Sequence, residues 1–347
     1  MTTPSAPVFS VIVPAHNLAG YLSDALASLR AQTFQDWEAW LIDDGSVDGT
    51  GDIVAEAVRQ DARFHAVHQP NRGLSAARNY AMRRMRGRYV AFLDGDDIVA
   101  PWWLDVASRL LQETGCDALR FGVERWTRRP PRLEPPNPAR PDWVSRDLAE
   151  IQRWGWSTFL FGAYVWRLIL RREVALTTRF PEEVTIKEDS IFDFRLLPRL
   201  SSVCTCSARP YGYRMRQGSL LHSRFSVDVP LTLLRRVRPL MADLPNALET
   251  VRPVMRDTLV RFAMYAVVDW SFRPKHSERH RFVEVRDAFR AFADEGLLRF
   301  PEDIRPHWRP SIAIFLRKGW VWPMRVHGLL IRIFLKLRYL FRKREEA

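Results

Sequence analysis

Tyr89-Val-Ala-Phe-Leu93 runs without a break into Asp94-Gly-Asp-Asp97. A short, almost wholly apolar run suits a strand buried on both faces, and the acidic cluster behind it marks where that strand opens into a loop. The pattern recurs upstream. Val8-Phe-Ser-Val-Ile-Val-Pro14 is a β-branched run closed by a proline, Trp37 to Ile42 leads into Asp43-Asp-Gly-Ser46, and a weaker strand around Phe64 to His68 precedes Gln69-Pro-Asn-Arg-Gly73. Helical stretches separate these runs. Leu22, Ala25, Leu26 and Leu29 form one stripe, Thr50 to Gln60 reads as a second helix capped by Thr50, and Ser75 to Arg86 as a third. Strands alternating with helices predict β-α-β units in an α/β fold, a doubly wound and mostly parallel sheet flanked by helices. Its ligand sites belong at the carboxyl ends of the strands.

The chain has 347 residues, 47% of them apolar, enough for a packed core with a helical appendage. Lys and Arg number 53 against 40 Asp and Glu, so a formal charge of +13 favours anionic partners. Cys116, Cys204 and Cys206 are too few for a disulfide framework and lack a second pair for a zinc site, which fits buried small residues in a reducing compartment. Met1 to Val8 lacks the pattern of a signal peptide, and no stretch reaches the roughly 18 uninterrupted apolar residues of a spanning helix. The expected chain is neither secreted nor membrane-spanning.

In an extended Asp94-Gly95-Asp96, side chains of period two place Asp94 and Asp96 on one side. Two hard oxygen ligands there suit Mg²⁺ or Mn²⁺, which would bridge the phosphates of a nucleotide diphosphate. A bare Asp-x-Asp also reads as a solvated turn capping the helix that begins near Pro101.

Five stretches in order and spacing weigh against that bland reading: Ser10-Val-Ile-Val-Pro-Ala-His-Asn17, Asp43-Asp-Gly-Ser-Val-Asp-Gly-Thr50, Asn71-Arg-Gly-Leu-Ser-Ala-Ala-Arg-Asn79, Leu93-Asp-Gly-Asp-Asp97 and Lys187-Glu-Asp-Ser190. Together they resemble the motif series of family 2 glycosyltransferases, inverting enzymes of the GT-A fold. The resemblance spans about residues 8 to 222. It implies that Pro14, Ala15, His16 and Asn17 line the base and ribose of a nucleotide sugar, and that Asp44 accepts a hydrogen bond from the base. It places Arg78, Asn79, Asp94 and Gly95 along the donor site, with Asp96 and Asp94 on the metal. Asp189 becomes the general base for the acceptor hydroxyl, opposite the leaving diphosphate as in-line attack requires. Glu188 would orient the acceptor or pair with an arginine. His222 falls in a loop that closes over the diphosphate in some relatives and would add a metal ligand, while Arg214 and Arg216 would hold the diphosphate. The local alternatives are an Asx turn at Asp44 with Gly45, Asp189 as the acid of a helix start, a surface or core His222, and solvated arginines. Trp154, Trp156 and Trp166 fall on the acceptor side, where stacking on sugar rings and plain core packing both fit.

Six prolines between Arg128 and Asp142 predict a surface loop inside a domain of residues 1–225. Residues 226–347 read as an Arg-rich helical region. Val326, Leu330, Ile333, Phe334, Leu337, Leu340 and Phe341 recur at three and four, with Arg325, Arg332, Lys336 and Lys343 opposite and Trp320 and Trp322 at the entrance. Such a basic amphipathic helix suits an anionic membrane surface, its own domain or a partner chain. The expectation is a metal-dependent inverting transfer from a nucleotide diphosphate sugar, UDP by resemblance. The acceptor would be a hydroxyl of a cell-envelope polysaccharide, a teichoic-type polymer or a glycolipid, reached by a cytoplasmic protein peripheral at the inner face of the membrane. A nucleotidyltransferase should carry a glycine-rich phosphate loop, which Pro14-Ala-His-Asn17 lacks. A nucleic-acid or membrane binding module would not depend on its aspartates, and the basic residues show no nucleic-acid motif.

Overall fold

The structure, a computed structural model, describes residues 6–135, 143–147, 164–184, 188–196, 199–216 and 287. The chain divides into two compact units, Met1–His222 and Ser223–Ala347, and every element named below belongs to the first. Trp154, Trp156, Lys187, His222, much of the proline-rich loop and the basic amphipathic helix lie outside the described residues.

The expected alternation is present. β1 (Phe9–Ala15), α1 (Leu22–Arg30), β2 (Trp37–Asp44), α2 (Thr50–Gln60), β3 (Phe64–Gln69), α3 (Leu74–Met82) and β4 (Tyr89–Phe92) follow in order. β5 (Ile98–Val99), α4 (Trp103–Thr114), β6 (Ala118–Arg120), β7 (Val123–Trp126) and β8 (Trp143–Asp147) come next. The unit finishes with a 3-10 turn (Val165–Arg167), β9 (Leu168–Arg171), α5 (Arg172–Ala175), α6 (Glu188–Leu196), β10 (Ser202–Cys206) and β11 (Tyr211–Arg214). One sheet runs β3-β2-β1-β4-β9-β6-β10-β8, and a smaller one runs β5-β11-β7. β3, β2, β1 and β4 are mutually parallel, whereas β9 runs antiparallel to both β4 and β6. β1, between two parallel neighbours, is buried at every position, as its unbroken apolar run requires. The stripe Leu22, Ala25, Leu26 and Leu29 is the buried face of α1.

Three local expectations give way to side-chain chemistry. Thr50 does not cap α2: the cap position is Gly49, and the Thr50 hydroxyl donates to Asp48 Oδ1 at 2.6 Å while accepting Leu18 N–H at 2.8 Å. α3 stops at Met82, short of Arg86, because side chains from the neighbouring strands take the next free N–H groups. Arg86 N–H donates to Glu38 Oε1 at 2.7 Å and Gly87 N–H to Ser10 Oγ at 2.8 Å. The third change is at Asp94. The strand ends at Phe92 and the acids occupy a turn in which Asp97 N–H donates to the Asp94 carbonyl at 3.0 Å. Alternation along a strand therefore does not align Asp94 with Asp96. Nor do these acids cap α4, whose cap residue is Trp102 without a side-chain bond.

Candidate active site

The carboxyl ends of β1, β2 and β4 carry the loops that the sequence singled out. Pro14 and Ala15 are buried at the tip of β1, and His16 and Asn17 beyond them are exposed. His16 Nδ1 lies 2.8 Å from the Asp44 carbonyl, which can only accept, so this nitrogen carries the proton. Nε2 then accepts from the Asn71 and Asn17 amides at 3.1 and 3.2 Å. Both amides are oriented by backbone donors, Gly73 N–H to Asn71 Oδ1 and Val47 N–H to Asn17 Oδ1. Asn17 holds φ +52°, tolerable for an Asn whose side chain bonds the local backbone.

Asp44 faces inward. Its oxygens accept from Gln69 Nε2 at 2.7 Å, Arg72 N–H at 2.9 Å and Gly73 N–H at 2.7 Å, and 3% of the residue is exposed. It braces the 71–73 loop in place of the expected outward contact to a base, and His16, Asn17 and Asn71 are the polar groups left facing out. The side chain that bonds the local backbone here is that of Asp43, which accepts Ser46 N–H at 3.1 Å. Gly45, at φ +71°, lets the Asn71 backbone pass where a Cβ would stand 2.6 Å from its nitrogen.

Arg78 is the centre of the site. Carried on α3 and 1% exposed, it donates from Nη1 to Asp189 Oδ1 at 2.6 Å and Glu188 Oε1 at 3.1 Å, and from Nη2 to Asp94 Oδ1 at 2.9 Å. One planar guanidinium thus ties the first turn of α6 to the tip of β4. Its face lies over the Phe180 ring at 5.2 Å, and Phe180 stacks on Phe192 with centroids 4.0 Å apart. Asp189 Oδ2 also accepts Val165 N–H at 3.3 Å. The helix-start reading of Asp189 holds for its position in α6, yet its bonds run to other elements. Asn79 does not line this cleft: its amide donates to the Phe180 carbonyl and Glu182, and its oxygen accepts Phe180 N–H at 2.9 Å. A buried amide on α3 satisfied by a neighbouring loop is a brace.

On the other side of the turn, Tyr211 and Asp97, which received no role from the sequence, hold the backbone. Tyr211 OH accepts Asp94 N–H at 3.1 Å and donates to Asp97 Oδ2 at 2.9 Å, and Asp97 Oδ1 accepts Arg214 N–H at 2.7 Å. Trp166 stacks on Tyr211 with centroids 4.3 Å apart, so of the three acceptor-side tryptophans the one described is a core residue. Gly95 is needed for close approach, since a Cβ would stand 2.9 Å from Leu18 Cδ1 and 3.1 Å from the Pro14 carbonyl. Arg214 donates to the Asp96 carbonyl at 2.9 Å and to Asp24 at 2.6 Å, and lies over Trp126 at 4.1 Å. Its guanidinium is bound within the fold. Arg216 Nε donates to Asp96 Oδ2 at 2.6 Å.

Burial and mutual repulsion leave these acids short of positive charge. Burial, then Asp96 and Asp189, push Asp94 up to about 6 against the pull of Arg78. Glu188 is pushed up to about 8 by burial and by Asp189, and Asp97 to about 9 by burial and its two acidic neighbours. Among the described residues no three His, Cys, Asp or Glu side chains form a ready-made metal site. The two hard carboxylates of Asp94 and Asp96 nevertheless fit Mg²⁺ or Mn²⁺, ions that take one or two carboxylates and complete their shell with phosphate oxygens and water.

Known proteins resemble this chain in sequence and fold. The family profile described as Glycosyl transferase family 2 matches residues 10–172. The uncharacterized glycosyltransferase EpsJ of Bacillus subtilis (strain 168) is 32% identical over 221 residues, 62% of this chain and 63% of EpsJ. The same organism's TuaG, named for teichuronic acid biosynthesis, is 40% identical over 111 residues, 32% of this chain and 44% of TuaG. The chain thus spans less than two thirds of the length of these curated relatives. The crystal structure of S. aureus TarS 1–349 in complex with UDP-GlcNAc superposes with a TM-score of 0.70 at 21% identity, covering 93% of this chain and 91% of that one. At that identity the likeness establishes the fold, a mostly parallel GT-A sheet flanked by helices.

Proposed function

We propose that this chain, which belongs to glycosyltransferase family 2 through the domain matched over residues 10–172, transfers a sugar with inversion from a nucleotide diphosphate sugar to a hydroxyl of a cell-envelope polymer. The observation that carries this reading is the single guanidinium of Arg78 bonded to both Asp189 and Asp94. Attack in line needs a base on one side of the anomeric carbon and a place for the leaving diphosphate on the other, and Arg78 joins candidates for both.

In this mechanism Asp189 takes the proton of the acceptor hydroxyl as its oxygen bonds to the anomeric carbon and the bond from that carbon to the diphosphate oxygen breaks. Arg78 and the Val165 N–H keep the two Asp189 oxygens in place. Glu188, one residue before and on the same guanidinium, orients the acceptor. His16, Asn17 and Asn71 face the nucleotide, with Arg216 towards the diphosphate. Asp94 and Asp96 would hold Mn²⁺ or Mg²⁺, which supplies charge neutralisation for the departing diphosphate. UDP is the donor nucleotide favoured by the TarS complex with UDP-GlcNAc, and TuaG's name, which speaks of teichuronic acid biosynthesis, favours a cell-envelope polymer as acceptor. Residues 1–225 are assigned to catalysis and residues 226–347 to a helical region whose basic segment, residues 320–341, contacts the inner face of the membrane.

A panel of nucleotide sugars incubated with Mn²⁺, scored for donor binding and slow hydrolysis, tests the assignment. Asp96→Ala is expected to lose metal-dependent donor binding, and Asp189→Asn to keep binding while transfer falls by about 10³-fold or more, the scale of losing a positioned base. Normal turnover by either variant overturns its role.

A further inference from the structure

Arg216 and a divalent cation cannot both sit comfortably on Asp96. The Arg216 Nε holds Asp96 Oδ2 at 2.6 Å, with side chains 26% and 19% exposed, so the contact is largely shielded from water and weakly screened. The same carboxylate is the proposed metal ligand, and a guanidinium and a divalent ion sharing it would stand a few ångströms apart and repel. Arg214, two residues earlier, is fastened by its backbone to Asp97 and by its side chain to Asp24 and the Asp96 carbonyl. Among the described residues Arg216 has fewer anchors: besides Asp96, the Tyr21 ring lies 5.2 Å from its guanidinium carbon. Arg214 is thus held by more partners of the fold than Arg216 is.

We propose that Arg216 is an exchangeable counter-ion, which neutralises Asp96 in the empty enzyme and is displaced when the cation arrives, passing to the diphosphate that the cation brings. A guanidinium accepts this change of partner because its planar donors fit carboxylate and phosphate oxygens alike. The inference rests on the metal and donor assignments above and adds a coupling to them. Cation alone must expel Arg216 with nothing to receive it, whereas cation with nucleotide diphosphate offers it a new partner. Each of the two ligands therefore tightens the other, by the same factor in both directions. Arg216 would act as a positioning residue that keeps the enzyme from loading metal without donor.

Mn²⁺ binding by the full chain, followed by electron paramagnetic resonance with and without UDP, tests this without turnover. Arg216→Ala is expected to bind Mn²⁺ alone roughly tenfold more tightly than the parent, within the ~5–150-fold range usual for such couplings, and to lose a similar factor of the tightening that UDP confers, the remainder coming from direct bonds between cation and diphosphate. Arg216→Gln, closer in shape, should do the same if the alanine variant folds poorly. Removing any positive charge raises cation affinity somewhat, so melting curves in metal-free buffer form the control. Arg216→Ala should lower the melting temperature in the parent and leave it unchanged in an Asp96→Asn background. Equal Mn²⁺ affinity in parent and variant, or an undiminished UDP effect, overturns the exchange while leaving the metal assignment standing. Absence of Mn²⁺ binding to the parent even with UDP overturns both.

Discussion

At the residue scale the decisive side chain is Arg78, because three carboxylates from two elements depend on one buried cation. Burial would ease its proton off, and the charges of Asp189, Asp94 and Glu188 hold it on well above the usual guanidinium range. Lysine keeps the charge but offers a compact ammonium that cannot span all three acids. Arg78→Lys is therefore expected to melt earlier by about 1–3 kcal/mol and to lose about 10²-fold in kcat, a split read by calorimetry and single-turnover assay. Asp193 poses the opposite problem. It is 2% exposed and, among the described residues, neither carboxylate oxygen has a hydrogen-bond partner, and burial with the nearby Asp189 raises its pKa well above the ordinary value against the pull of Arg120. A raised folded-state pKa means that its contribution to stability is complete below about pH 3.9, the unfolded value, and is lost as pH rises. Asp193→Asn is expected to stabilise the fold by about 1–2 kcal/mol at pH 8 and by almost nothing near pH 4. A gain equal at both pH values would show that its proton is not involved.

Elements were legible where their signal is local, and not where a distant side chain intervenes. α1 announced itself through four apolar residues, and β1, β2 and β4 through apolar runs that are buried along almost their whole length. The end of α3 was illegible because the groups that stop it, Glu38 and Ser10, lie 48 and 77 residues away. Likewise the partners of Asp97 are 114 and 117 residues distant, so its place as the third acid in Asp94-Gly-Asp-Asp97 carried no hint that it is structural. Asp189 and Arg78 were nominated separately, but their contact across 111 residues is a property of the fold. Glu38 shows what such cross-element bonds are worth. Burial alone would raise its pKa, and the Arg86 N–H, the Ser10 hydroxyl and the Arg86 guanidinium together bring it below the ordinary value. A depressed acid contributes stability above its unfolded pKa, near 4.3, and loses it as pH falls through the folded value. Glu38→Gln is expected to cost about 1.5–3 kcal/mol at pH 7, the scale of bonds to a charged group. The deficit should shrink as pH falls below 4, and parallel melting-temperature profiles for parent and variant would show that Glu38 contributes no charge.

Across the first unit, and among its described residues, the carboxyl ends of the parallel strands collect more negative charge than the arginines bonded there neutralise. Asp94, Asp96, Asp97, Glu188 and Asp189 meet there, and the arginines bonded to their side chains are Arg78 and Arg216, with Arg214 reaching Asp97 through its backbone. The pKa values of Asp94, Asp97 and Glu188 are raised by burial first and by the neighbouring acids after it. A chain of net charge +13 thus carries its acids where the proposed cation and diphosphate would enter, and a ligand that brings positive charge relieves repulsion as well as making contacts. Binding to the folded state alone stabilises by about 2.7 kcal/mol at a hundred times Kd, and for a unit of this size each kcal/mol moves the melting temperature by about 2–4 °C. Saturating UDP with Mn²⁺ should therefore raise the melting temperature by about 5–10 °C, with Mn²⁺ or UDP alone giving well under half of that. Asp96→Ala should abolish the part that needs both. A shift that UDP produces equally without any divalent ion would mean that the acids at the tip of β4 serve the fold and not the donor.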